Sequence, residues 1–126
     1  MLQKLFMLLL FASFQAMAAT PADLLAGYTA QAGHPANASK GEAFFKASHG
    51  QEWHCTSCHG KSLMLGGRHA STDKAIEPLA PAANAKRFTD SAKAEKWFRR
   101  NCKDVLVREC TAAEKADVLA WLISLR

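Results

Sequence analysis

The chain has 126 residues, with 16 Lys and Arg against 11 Asp and Glu and a formal net charge of +5. That length is one domain. The excess of positive charge is too mild, and too little clustered, for a nucleic-acid surface.

Residues 1–4 carry one positive charge, Lys4, residues 5–14 are almost wholly apolar, and Ala16-Met17-Ala18 has the small-x-small pattern that a signal peptidase reads. The apolar stretch is about ten residues long, whereas a membrane-spanning helix needs roughly 20. The expectation is a secretory leader over residues 1–18, cut after Ala18 (or after Ala19), and a mature domain over residues 19–126 in the periplasm. Loss of Lys4 leaves 15 Lys and Arg against 11 Asp and Glu, a formal +4.

Thr20-Pro21-Ala22-Asp23 predicts a helix start: a capping threonine, a proline suited to the first turn, and an acid at the positive end of the helix dipole. Leu24, Leu25 and Tyr28 follow at helical spacing, and Gly33 and Pro35 stop the helix. For a second helix the expected cap is Ser39, with Glu42 completing a capping box and Phe44 and Phe45 supplying the apolar face.

Cys55-Thr56-Ser57-Cys58-His59 is the C-x-x-C-H pattern of c-type haem attachment. Two thiols three positions apart reach two neighbouring vinyl groups on one haem edge, and the next residue places an imidazole under the iron. The cofactor expected is one covalent haem c, bound by Cys55 and Cys58, with His59 as iron ligand. Zinc wants four ligands and a second pair at suitable spacing, and Cys102 and Cys110 stand too far apart for a knuckle. A thioredoxin-type dithiol wants a βαβ setting, which this helical pattern lacks. The fold expected is all-α, a class I cytochrome c-like arrangement of about four to five helices around the haem.

Residues 61–87 hold Gly66, Gly67, Pro78 and Pro81 with little periodicity and no convincing strand. A loop of that length is often functional, and wrapping a haem edge would give it apolar contacts. Its residues 78–81 are expected to offer a carbonyl to the other ring nitrogen of His59, and Lys74 or Arg87 to neutralise a propionate. Thr89 or Asp90 begins a third helix with Trp97 and Phe98, which residues 101–110 are expected to interrupt. Its Lys93, Lys96, Arg99 and Arg100 form either a solvated face or a docking face for an acidic redox partner. Thr111 and Glu114 cap a last helix, whose buried stripe is Val118, Leu119, Leu122 and Ile123.

The ligand on the far side of the iron is less direct. An electron-carrying cytochrome c commonly uses Met there. Met64 is the one Met left after cleavage, and it starts on the His59 side, which makes it a packing residue. His49 and His54 are too near the motif to fold over the haem, whereas His34 and His69 have the slack. Asn101, Cys102 and Cys110 precede the last helix, in the segment that covers the distal face of a helical cytochrome. Two spare cysteines in an oxidising compartment usually pair, and a bridge closing about nine residues is worth roughly 2–3 kcal/mol in the loop-entropy account.

The chain resembles the sphaeroides-haem-protein (SHP) family of small, exported, high-spin c-type cytochromes. The resemblance rests on Thr20-Pro21-Ala22-Asp23-Leu24-Leu25-Ala26-Gly27-Tyr28, Cys55-Thr56-Ser57-Cys58-His59-Gly60 and Ile76-Glu77-Pro78-Leu79-Ala80-Pro81. It continues in Arg87-Phe88-Thr89-Asp90-Ser91-Ala92, Glu95-Lys96-Trp97, Arg100-Asn101-Cys102, Cys110-Thr111 and Glu114-Lys115-Ala116-Asp117, and leaves residues 61–75 unmatched. It implies that Asn101 ligates ferric iron through its side chain and that Cys102 and Cys110 form a disulfide. It further implies that the asparagine is lost on reduction and that the ferrous protein binds diatomic molecules such as oxygen or nitric oxide. Implied partners are a dihaem cytochrome c and a membrane b-type cytochrome.

An amide oxygen is a hard, neutral, weak donor that suits ferric iron better than ferrous, so such a gate is chemically coherent. The function expected is a redox-gated monohaem cytochrome that binds O2, NO or CO at ferrous haem and exchanges electrons with other cytochromes. It is expected to act as a monomer, without nucleic acid. The competing readings are a plain electron carrier and a haem enzyme reacting with peroxide or with NO and O2, so enzymatic activity stays open. An enzyme needs a distal acid or base in reach of its substrate, a place open only to His34 and His69.

Overall fold

The structure, a computed structural model, describes residues 18–126. The leader expected over residues 1–18 lies outside the described residues except for Ala18. Helix α1 (Pro21–Ala32) starts where Thr20 accepts from Asp23 N while the Asp23 carboxylate accepts from Thr20 N at 2.9 Å, and it ends at Gly33 in the left-handed region. Both signals were legible as local chemistry.

Helix α2 (Ala38–Lys46) corrects the expected cap. Asn37, not Ser39, is the N-cap: its Oδ1 accepts from Lys40 N at 3.0 Å, and its own N–H donates to Asp117 Oδ1 at 2.6 Å. A carboxylate from the far end of the chain therefore sets where this helix begins. Glu42 pairs forward with Lys46 instead of back onto a cap.

Helix α3 (Cys55–His59) is a single short turn-and-a-half after an irregular stretch. Residues 61–87 contain a feature that sequence pattern did not show: strands β1 (Gly67–Arg68) and β2 (Ala75–Ile76) pair antiparallel, Gly67 opposite Ile76 and Arg68 opposite Ala75. Two residues per strand are too few for an alternation to be read.

Helix α4 (Ser91–Leu106), capped by Asp90, also departs from expectation. It does not break at Asn101. Cys102 and Val105 continue the buried face begun by Ala94 and Phe98, so the helix gains by running to Val107, which closes it in the left-handed region. Helix α5 (Ala112–Ser124) starts at the Thr111–Glu114 capping box, as expected.

Helix α5 packs against both α1 and α2. At the α2 contact the backbones touch: a Cβ on Gly41 would stand 1.9 Å from the Asp117 carbonyl oxygen. Only glycine permits that crossing. Alternate sides of α5 feed two cores. Val118, Trp121 and Leu122 join Phe45, Leu63 and Ala80; Ala116 and Leu119 join Leu24, Tyr28 and Ala94. Phe88 and Phe98 lie against both. Tyr28 meets Phe98 edge-on at 5.8 Å between ring centroids, and Lys115 pairs with Glu95 at 2.9 Å, so α4 is tied to α1 and α5. Among the described residues no helix is long and apolar enough to cross a membrane.

Candidate functional site

Cys55, Cys58 and His59 all lie on α3, each partly buried. Ser57 Oγ accepts from His54 N at 2.9 Å and fixes the first turn, and the Gly60 N–H returns to Thr56 O. The turn is held from outside as well. Strand β1 runs directly over its end: a Cβ on Gly67 would lie 2.0 Å from Cys58 O, and Ala70 N donates to Cys58 Sγ at 3.3 Å. The Gly66-Gly67 pair, which reads as loop punctuation, is thus the device that lets the hairpin close on the cysteine turn. Leu63 O accepts from both Leu79 N and Ala80 N and anchors the rest of the loop to the core.

The cysteines divide by chemistry. Cys102 and Cys110 form a disulfide with Cα atoms 5.6 Å apart, while Cys55 and Cys58 are free thiols. Burial pushes the Cys55 thiol up to about 11, so it is protonated at neutral pH. Burial, reinforced by the nearby Arg87 charge, lowers His59 to about 4, so its imidazole is neutral and keeps a lone pair to donate. Phe45 of α2 backs the ring at 5.8 Å.

The residues suit a covalently held haem. Two thiols and a neutral imidazole share one turn, and among the described residues neither ring nitrogen of His59 has a hydrogen-bond partner in the protein. Asn101 stands exposed on α4, its amide without a hydrogen bond among the described residues, beside the disulfide cysteine Cys102. Leu65, just after α3, leaves 67% of an apolar side chain uncovered. Among the described residues no three His, Cys, Asp or Glu side chains converge as a metal cage of their own would require.

The expected support for His59 is arranged differently. Arg87 takes the Pro78 carbonyl with its Nε at 2.9 Å and the Glu77 carbonyl with its terminal nitrogen at 2.7 Å. Arg87 therefore braces the loop, and its charge adds to the effect of burial on His59. The other candidate ligands have local duties. His69 Nδ1 accepts from Ser71 N and Thr72 N, each at 3.3 Å, and so caps the hairpin turn. His49 Nε2 donates to Phe44 O at 2.9 Å, His34 lies exposed against the Pro35 carbonyl, and Met64 packs on the core around Leu63.

Comparison with known proteins gives a consistent picture. Residues 31–122 match a family model described as a domain of unknown function, DUF1924. The chain is 50% identical over 107 residues to the cytochrome c-type protein SHP of Cereibacter sphaeroides, with 82% of each protein covered. The solved structure of oxidised SHP, described as an oxygen-binding cytochrome c, is similar with a TM-score of 0.80 at 49% identity, covering 85% of this chain and 98% of that one. Oxidised cytochrome c'' from Methylophilus methylotrophus is similar with a TM-score of 0.72 at 34% identity, covering 84% and 94%. The solution structure of cytochrome c'' from the same organism, which addresses haem-ligand detachment, has a TM-score of 0.72 at 32% identity, covering 83% and 93%.

Proposed function

The chain belongs to the SHP family of c-type cytochromes, and from that premise we propose that it is an exported monohaem cytochrome whose distal coordination is gated by redox state. It is a monohaem c-type cytochrome with an all-α cytochrome fold, and its cofactor is covalently attached haem c. Cys55 and Cys58 hold the haem through thioethers and His59 ligates its iron. Asn101 would supply a further ligand to the iron in the ferric state. When bound, the haem supplies an iron that changes by one electron and takes a diatomic molecule at an open position.

The observation that carries this reading is the division of labour among the possible ligands. His49, His69 and Met64 are each committed to a local contact and His34 lies exposed beside Pro35, whereas the Asn101 amide has no partner among the described residues. A weak, hard amide donor serves ferric iron and is poorly held by ferrous. Asn101 lies inside α4 with its neighbour Cys102 tied to Cys110, so release is a rotation of the side chain while the backbone stays. With Asn101 released, the iron would be open to O2, NO or CO. Oxygen binding is described for SHP, and the same chemistry is proposed here. Electron exchange with other cytochromes, removal of residues 1–18 and residence in the periplasm complete the proposal.

Optical spectra of ferric, ferrous and ferrous-plus-CO protein test it. The ferrous protein is expected to be five-coordinate and high-spin and to bind CO without first displacing a strong ligand. Asn101→Ala should move the ferric spectrum to a water-ligated or five-coordinate form and leave ferrous CO binding intact or faster. A sharp low-spin ferrous α band with slow CO binding would overturn the gate.

A further inference from the structure

Helix α4 carries a cationic outer face that borders Asn101. Lys93, Lys96, Trp97 and Arg100 fall together on its outer face, opposite Ala94, Phe98, Cys102 and Val105, which pack inward. Trp97 leaves 41% of its surface exposed, unusual for the largest apolar side chain. Both Lys96 Nζ, at 5.7 Å, and the Arg100 guanidinium, at 5.6 Å, stand over its ring. Among the described residues Lys93, Lys96 and Arg100 have no carboxylate partner, and Arg99 and Lys103 share a single one, Glu109, at 3.5 and 3.9 Å. Asp104 is the one acid of α4 on this side. Like charges four apart on a helix repel, so Lys96–Arg100 and Arg99–Lys103 work against the helix they stand on.

A solvated face needs no exposed tryptophan and no uncompensated cations. A docking face uses both, because aromatic and Arg side chains anchor interfaces and complementary charge steers encounter. Its position also fits. Trp97 is one turn before Asn101, so a protein seated on this face comes to rest beside the proposed haem pocket. Resting on the cytochrome reading above, we propose that the Lys93–Lys96–Trp97–Arg100 face of α4 docks an acidic redox protein. The docked donor passes one electron to the ferric haem. No bond is made or broken, and the donor is oxidised by that one electron. An anionic lipid surface is the weaker fit, since one aromatic side chain amid cations offers little apolar area to bury in a bilayer.

The test uses the haem-loaded protein, an acidic flavodoxin as probe, and reduced lumiflavin as a small neutral reductant. At low ionic strength the second-order rate of reduction by reduced flavodoxin should fall about tenfold or more in Lys96→Glu/Arg100→Glu, on the scale of electrostatic steering. The wild-type rate should fall steeply with added salt, and the rate with lumiflavin should stay the same in both proteins. Titration with oxidised flavodoxin should shift α4 backbone amide resonances in wild type and not in the variant. Equal flavodoxin rates in the two proteins, a parallel loss with lumiflavin, or unshifted α4 amides would each overturn the proposal. So would wild-type binding to phosphatidylglycerol vesicles that the variant loses while its flavodoxin rate holds, which would assign the face to a membrane. If lumiflavin fails to reduce the wild type at all, the cytochrome reading falls instead, and the amide shifts still decide the face.

Discussion

Four cysteines of one chain meet two fates because of what surrounds them. Cys102 and Cys110 are brought to 5.6 Å between Cα atoms by the end of α4 and the start of α5, and they oxidise. Cys55 and Cys58 are three apart on one turn and form no disulfide, which leaves both for haem attachment, the Cys55 thiol before attachment pushed up by burial to about 11. Cys55→Ala or Cys58→Ala should therefore leave haem held by one thioether or none, read by pyridine haemochrome spectra and intact mass. Doubly linked haem in either variant would exclude these attachment points. At this scale the sequence was most informative. The C-x-x-C-H spacing names thiols and imidazole directly, because their chemistry needs only adjacency in the chain. Asn101 was different. Nothing about a lone asparagine marks it, and it entered through the Arg100-Asn101-Cys102 resemblance and then through its unpartnered amide.

Among the elements, local chemistry predicted some starts and not others. The Thr20 cap and the Thr111–Glu114 capping box are read correctly because the partners lie within three residues. The start of α2 was misplaced because its decisive contact, Asn37 N–H to Asp117, comes from 80 residues away. The run of α4 past Asn101 was missed for a related reason. A polar, charged outer face hid the four-residue repeat of its inner one, and burial against α1 and α5 supplied the stability. The α2–α5 crossing depends on Gly41 in the same non-local way. Gly41→Ala places a methyl 1.9 Å from the Asp117 carbonyl oxygen, and backbone cannot rotate aside as a side chain would. We expect a loss of about 3 kcal/mol or more, at or beyond the upper end of overpacking, seen as a lower midpoint in denaturant. An unchanged midpoint would mean that the two helices can part without cost.

For the molecule as a whole, two modest cores share α5, and α4 is the element that faces the proposed distal side. The Cys102–Cys110 bridge closes a short loop between α4 and α5, worth about 2–3 kcal/mol by the entropy account. Reduction with a mild thiol should lower the thermal midpoint and alter CO binding rates together, because the same bridge holds the backbone beside Asn101. A lower midpoint with unchanged CO kinetics would separate the two roles.

The sequence by itself determined the helical class, the haem motif, the two cysteines left over for bridging and the capping signals of α1 and α5, since each is written in residues near one another in the chain. Tertiary structure alone decided the closing of β1 over Cys58 at Gly67, the bracing of the loop by Arg87 and the unbroken course of α4. Those outcomes depend on which backbone atoms meet across the fold, and contacts between distant parts of the chain leave no period, spacing or composition to read.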